Sequence, residues 1–202
     1  DITLVNLVNM DDYVNCVISQ EMSDSWPIEA LKAQAVAARN YYAVNRGKHS
    51  SSGFDICAST HCQAYLGASK VGSGTTQAAA ATSGEYLWYN GELAETYYFS
   101  SDGGATESSE NVWTASVPYL RGVSDPYESA VAGSISNYQW SYTFTGVQLQ
   151  SKLAASGRAN CGVVTSVTLT ATALGNVYSI TFHDANGKDW TLYKEECRTV
   201  LG

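Results

Sequence analysis

Glu21 closes the run DDYVNCVISQE (11–21), three residues after Ile18 and four after Val17. On a helix, that spacing puts its carboxyl on or beside the apolar face. Met22 and Trp26 follow closely. A carboxyl group in such surroundings has a raised pKa, because desolvation penalises the charged form. An acid that stays protonated near neutral pH is what protonation of a glycosidic oxygen requires. The plainer reading of the same spacing is a helix-end glutamate facing water.

Arg39 falls beside Ala35 and Tyr42 on a 3.6-residue period, at the edge of an apolar stripe. Guanidinium groups are rarely buried without an anion. Glu21 is the candidate partner and Glu29 a local rival at a poor helical spacing. The alternative is an arginine whose stem lies on the apolar face and whose head reaches water.

In ICASTHCQAY (56–65), Cys57 and His61 stand four apart and Cys62 comes next. Thiolate and imidazole at this spacing can share a tetrahedral Zn²⁺. A closed structural site needs four ligands, and no second Cys/His pair is evident nearby, so a carboxylate or water is expected to complete the set. A Cys57–Cys62 disulfide and plain thiols beside a polar histidine are the competing readings. Cys16 lies in an apolar run and reads as a buried thiol. Cys161 and Cys197 are free to pair.

The loop Ser100-Ser101-Asp102-Gly103-Gly104 follows a tyrosine-rich stretch and precedes Thr106-Glu107. Its glycines allow close backbone approach, and its hydroxyls offer hydrogen bonds to a polar ligand. A generic hairpin-end loop would look the same. No Gly-x-Ser-x-Gly elbow is present, nothing sets His49, His61 or His183 beside a particular serine, and no phosphate-binding glycine loop occurs.

The elements that must position these residues can be read from periodicity. A strand is predicted at 2–8, then helices at 11–22 and 27–46. Pro27 suits a first helical position, where its missing N–H costs nothing. Residues 49–55 read as a loop and 75–82 as a short helix. Strands at 85–89 and 92–100 flank Asn90-Gly91, a pair that tolerates the positive φ of a type I′ turn. Later elements are a strand at 139–144, a helix at 147–155, strands at 164–173, 177–184 and 189–193, and a closing helical turn. The second Asn-Gly, at 186–187, marks another turn. The class is α+β, one mixed domain over 1–202 with a helical lobe and antiparallel β hairpins.

The 202 residues suffice for a real core, and 45% of them are hydrophobic. Charged residues make up only 15%, with 14 Tyr and 5 Trp, so the polar surface is built from hydroxyls, amides and aromatic faces suited to neutral ligands such as sugars. A net charge of -8 opposes nucleic acid and anionic lipid as partners. No apolar run reaches transmembrane length, and the sequence opens at Asp1 without an export signal, so any signal or membrane anchor is expected outside it.

Several motifs, in order, resemble the SpoIID/LytB family: EMSDSWPIEALKAQAVAARNYY, ICASTHCQAYLG, YYFSSDGGATESSENVW, VPYLRGVSDP and the ending CRTVLG. The resemblance runs almost end to end. It implies a lytic transglycosylase of the cell wall, acting outside the cytoplasm on peptidoglycan glycan strands stripped of stem peptides, alongside a partner amidase or endopeptidase. The family's catalytic acid maps onto Glu21 and its essential arginine onto Arg39, which would orient Glu21. Gln63, Tyr97, Tyr98, Ser100, Ser101, Gly103 and Gly104 would bind the glycan. Some members resemble this chain in the Cys57…His61 segment and bind zinc there. Others are described as amidase enhancers, which bind wall or a hydrolase without cutting. The chain departs from the common pattern at Ser23, where Pro often stands, and at Asp102, where Ser is usual.

Overall fold

A computed structural model describes residues 3–202. The chain divides into two compact units, Asp1–Tyr98 and Phe99–Gly202. Both combine helices with antiparallel strands, so the α+β class holds.

The first unit is built on α1 (Met10–Glu21), α2 (Ile28–Asn45) and α3 (Ser73–Ala81). Asn9 caps α1 by accepting the Asp12 N–H at 2.9 Å, and Asp11 and Asp12 lie in its first turn, where acidic side chains complement the helix dipole. Pro27 sits one residue before the first helical position of α2, at the N-cap. The core is Val14, Val17 and Ile18 from α1, Leu31, Ala35 and Ala38 from α2, and Ala78 and Ala79 from α3. Six of these eight side chains are valine or alanine, and α2 and α3 contribute four alanines, so the helices approach closely. The turn after α1 is fixed by Asp24, whose carboxylate accepts the Thr75 N–H at 2.8 Å and so caps α3. Gly74 is required there, since a Cβ would lie 2.4 Å from the Asp24 carbonyl oxygen.

The hairpin at Asn90-Gly91 forms, with both residues at positive φ (50° and 85°), but it is short: β1 (Trp88–Tyr89) pairs with β2 (Glu92–Leu93). Asn40, wholly buried on α2, replaces further ladder bonds. Its amide donates to the carbonyls of Leu87 (2.8 Å) and Ala94 (3.0 Å), and its Oδ1 accepts the Leu87 N–H (2.9 Å).

The second unit carries α4 (Ser109–Val112), α5 (Gly146–Ala155), the antiparallel sheet β3 (Val164–Ala171), β4 (Val177–Asp184) and β5 (Asp189–Tyr193) in the order β3-β4-β5, and α6 (Glu195–Leu201). Leu149 and Leu153 of α5 and Cys197 of α6 pack with Ile180, Phe182 and Leu192 of the sheet. Thr145 and Gln148 form a capping box at the start of α5. Asp184 organises the β4–β5 turn. It accepts bonds from the Trp190 indole, the Gly162 N–H and the N–H groups of Lys188 and Asn186, and these hold its pKa at about 2. Cys161 and Cys197 share this core as free thiols, as Cys16 does in the first unit.

Two expected strands are absent among the described residues. Residues 3–8 have no regular secondary structure, and Leu4 and Leu7 are almost fully exposed; Ile2 lies outside the described residues. Residues 139–144 also form no strand, with Trp140 and Tyr142 exposed and only Phe144 packed on the core. Both segments are rich in apolar or aromatic residues, but among the described residues no partner strand supplies the hydrogen bonds that a strand needs.

Arg39 is the largest fully buried side chain among the described residues. Its guanidinium sits against the carbonyl end of α3, facing Ala79 O (3.4 Å), Thr82 Oγ1 (3.4 Å) and Glu85 O (3.4 Å), with Asp11 Oδ1 at 3.3 Å. A helix C-terminus carries partial negative charge, so a cation there is favoured beyond its single carboxylate partner. Arg39→Ala is expected to lower unfolding free energy by about 2–5 kcal/mol, the range for truncating a large core side chain. Asp11→Asn should cost less than about 1 kcal/mol, because the Asp11 carboxylate is 43% exposed. Urea denaturation of both variants checks this, and equal losses would show that the Asp11 pair rather than the helix end carries the arginine.

Candidate functional site

Glu21 is the last residue of α1, where the Met22 N–H still bonds back to Ile18 O. The residue is exposed at its outer side, yet the surrounding protein removes enough water from the carboxyl to raise its pKa, and desolvation is the cause. No cation offsets this. The expected pairing with Arg39 does not form: Arg39 bonds to Asp11 instead. Asp11 and Glu21 are ten residues apart on one helix, a rise of about 15 Å, so one arginine head cannot serve both. Arg39 holds the helix that carries Glu21, from its other end.

Tyr98 lies near Glu21. Its phenol is pushed up to about 12, chiefly by burial, with the Glu21 charge adding to the rise against a hydrogen bond from Gln63 that lowers it. The Gln63 amide donates to Tyr98 Oη at 3.0 Å and to Ala38 O at 3.3 Å, while its Oε1 accepts the Tyr13 hydroxyl at 2.6 Å. At 2% exposure, Gln63 therefore presents no amide to a ligand. The expectation that it contacts sugar is corrected to a positioning role, because Tyr13 of α1, Ala38 of α2 and Tyr98 already use its side-chain amide. Tyr97 is exposed, with its hydroxyl on Glu95 Oε2 at 2.9 Å. Ser100, Ser101, Gly103 and Gly104 belong to the second unit, where Gly103 and Gly104 both adopt positive φ (70° and 105°).

Following α2, the chain folds back so that His49, Cys57, His61 and Cys62 gather into one cluster whose ligand atoms all lie within 4.8 Å of one another. His49 Nε2 is 3.3 Å from Cys62 Sγ, and His61 Nδ1 is 3.6 Å from both Cys57 Sγ and Cys62 Sγ. The cysteines are free thiols, so the Cys57–Cys62 disulfide is not formed. The Cys57 thiol is held down at about 5 by bonds from the Ser59 hydroxyl and N–H and from His61, and burial pushes the Cys62 thiol up. A short 3₁₀ turn (Ser50–Ser52) and the His49 N–H bond to Asp55 O (3.1 Å) bring His49 back to the pair, and its ring stacks on Phe54 at 5.0 Å. Two thiols and two imidazoles converging in this way can hold a metal ion. Sequence reasoning found Cys57, His61 and Cys62 and missed His49, whose only signal was a histidine at the start of a serine- and glycine-rich stretch, eight residues upstream of Cys57.

Residues 1–89 match the family model described as Stage II sporulation protein (SpoIID), which places this part of the chain in that family. Three relatives cover more of it. Stage II sporulation protein D of Bacillus subtilis is 30% identical over 181 residues, which is 81% of this chain and 52% of that protein. An amidase enhancer of the same organism is 40% identical over 136 residues, 67% of this chain and 17% of that protein. An uncharacterized protein of Brachyspira hyodysenteriae is 44% identical over 121 residues, 59% of this chain and 33% of that protein. The chain thus spans about half the length or less of these relatives.

Protein purified without chelator is expected to carry one metal ion per chain by elemental analysis. His49→Ala should remove it as effectively as Cys57→Ser or His61→Ala. Retention of full metal by His49→Ala would reduce the site to the three ligands visible in sequence.

Proposed function

We propose that the chain is a lytic transglycosylase of peptidoglycan glycan strands, working in cell-wall remodelling linked to sporulation. The observation that carries this reading is Glu21: a carboxyl with raised pKa from desolvation, unpaired with any cation, at a helix end beside a tyrosine held by a buried glutamine. As the acid, Glu21 donates its proton to the oxygen linking MurNAc to GlcNAc as that bond breaks. As the resulting carboxylate, it takes the proton from the MurNAc 6-hydroxyl, whose oxygen closes onto C1. The product carries a 1,6-anhydro end, and no water is consumed. One carboxyl thus serves both steps, whereas hydrolytic glycosidases use two.

In this reading Tyr97 and Tyr98 offer aromatic and hydroxyl contacts to the sugar beside Glu21, and Ser100, Ser101, Gly103 and Gly104 bind glycan through hydroxyl and backbone groups. Arg39 supports catalysis through the position of α1. The metal is proposed to be zinc. In a tetrahedral zinc site, with bonds near 2.3 Å to sulfur and 2.0–2.1 Å to nitrogen, sulfur and nitrogen ligands stand about 3.5 Å apart, and the separations of 3.3 and 3.6 Å here fit. Its role is structural. It would fasten the loop that ends in Cys62 directly to Gln63, and Gln63 holds Tyr98.

The substrate is proposed to be glycan already stripped of peptides by a partner amidase or endopeptidase. Action is placed outside the cytoplasm, at the wall; among the described residues no helix is long and apolar enough to cross a membrane. A second reading is favoured by the 40% identity to an amidase enhancer: a wall-binding protein that stimulates an amidase without cutting.

Mass spectrometry of products from peptide-free glycan separates the readings. Anhydro ends are expected; no product, with stimulation of an added amidase, would support the second. Glu21→Gln should lower the cleavage rate by about 10²–10⁴-fold without loss of stability. Because the acid form of Glu21 is needed and its pKa is raised, the rate should persist above the ordinary carboxylate range and fall as pH climbs through the raised value. A rate that instead rises through this range would remove Glu21 as the acid.

A further inference from the structure

Within the second unit, the loop at 100–104 is wrapped around a glutamate that no sequence motif singled out. Glu128 begins a 3₁₀ turn (Glu128–Ser134), and its side chain is only 8% exposed. Its Oε1 accepts the Asp102 N–H at 3.2 Å, and the Ser101 hydroxyl and Gly103 N–H also face the carboxylate. Its Oε2 is buried and has no hydrogen-bond donor among the described residues. Beside it lies the Asp102 carboxyl, whose Oδ1 is taken by the Gly104 N–H at 2.8 Å.

A buried carboxylate oxygen without a donor is costly. The neighbour facing it is a second carboxyl, which is a donor only when protonated. We propose that Asp102 and Glu128 share one proton, and that this shared proton holds the 100–104 loop in its observed shape. With the proton in place, Asp102 donates to Glu128 Oε2 and every loop contact to the pair is satisfied. Without it, two carboxylates face each other with Asp125 adding a third negative charge.

The directions of both shifts agree with this assignment. Burial and the Glu128 contact raise Asp102, against the Gly104 N–H that lowers it, while the Ser101 hydroxyl, then Asp102 and the loop N–H groups, lower Glu128. The sign follows for each group. The contribution of Asp102, raised in the fold, is present at low pH and lost as pH rises through its raised value. That of Glu128, lowered in the fold, is present above the ordinary range and lost as pH falls through its lowered value. The loop is therefore held best in the acidic window between the two and loosens toward alkaline pH. Only the functional consequence, that glycan capture by Ser100 and Ser101 follows the same window, rests on the function proposed above.

Carboxyl-carbon NMR of the whole chain tests the shared proton directly. Asp102 and Glu128 are expected to titrate as a coupled pair, one step above and one below the ordinary range, and Glu128→Gln should abolish the upper step. Independent titration of both near ordinary values would overturn the proposal. Asp102→Asn is the matching variant, since its amide keeps the Oδ1 acceptor and supplies a permanent donor to Glu128. It should raise the thermal midpoint of the second unit by roughly 2–4 °C at pH 8 and leave it unchanged near pH 5. A fall at both pH values would mean that Asp102 acts as an ionised acceptor and shares no proton. Titration with peptide-free glycan strands is read separately: binding that weakens toward pH 8 in the wild type but not in Asp102→Asn extends the proposal to ligand capture. No binding by either protein at any pH would sink the glycan role of the loop and leave the proton assignment to the NMR result.

Discussion

A guanidinium withdrawn from water must be surrounded by oxygen, and Arg39 imposes that demand on the helical unit. Its head reaches α1 through Asp11, the end of α3 through Ala79 and Thr82, and the following segment through Glu85. None of these bonds is short, and Arg39 Nε has no acceptor at all. Its retention is understandable as specificity more than as stability: a hydrophobic side chain could fill the same volume, but it would not require three separate elements to end where their carbonyls and hydroxyls converge. The alanine-rich contacts of α2 and α3 bring the backbones close enough for one side chain to span them.

The surroundings of Glu21 are reached by a different chain of contacts. The four Cys and His side chains fold the segment after α2 into a compact loop, and Cys62 is followed immediately by Gln63. Gln63 then ties Tyr13 of α1, Ala38 of α2 and Tyr98 together. Tyr98 is in turn close enough to Glu21 to sense its charge. Ligand cluster, glutamine, tyrosine and carboxyl thus form one connected path, in which a cluster well removed in sequence from Glu21 governs the surroundings of that acid. This is the pattern in which outer contacts orient the groups that meet a substrate.

Much of the fold was legible because its helices and the second-unit sheet obey simple periodicity. The strands at 177–184 and 189–193 were read to the residue, and the three main helices within two residues. Residues 3–8 and 139–144 misled because alternation describes a surface that can join a sheet, not the neighbour that completes it. The hairpin at Asn90-Gly91 was legible in its turn and not in its length, since Asn40, fifty residues upstream, intercepts the bonds a longer ladder would have used. At the site, local spacing brought Cys57 and His61 together, and for Glu21 it gave only a carboxyl at a helix end beside the apolar face. It could not find His49, whose approach depends on a chain reversal, nor see that Arg39 turns toward Asp11, since a helical wheel gives the face of a residue but not its height along a neighbouring helix.

Nineteen acidic side chains compete for the role of catalytic acid, and their surroundings sort them better than their positions do. Asp184 is saturated with donors, the Trp190 indole foremost, and is held ionised at about 2 as a turn-forming acceptor. Glu110 is held at about 2 by the Arg121 side chain, a surface ion pair with no proton to give. Asp102 is raised, but burial and its Glu128 neighbour direct any proton it holds into the loop contact. Glu21 differs from all three. Its pKa is raised by desolvation alone, with no hydrogen-bonding neighbour contributing to the shift. A carboxyl raised in this way suits proton donation to an oxygen brought against it, and this is the physical reason that Glu21 is the acid in the function proposed above.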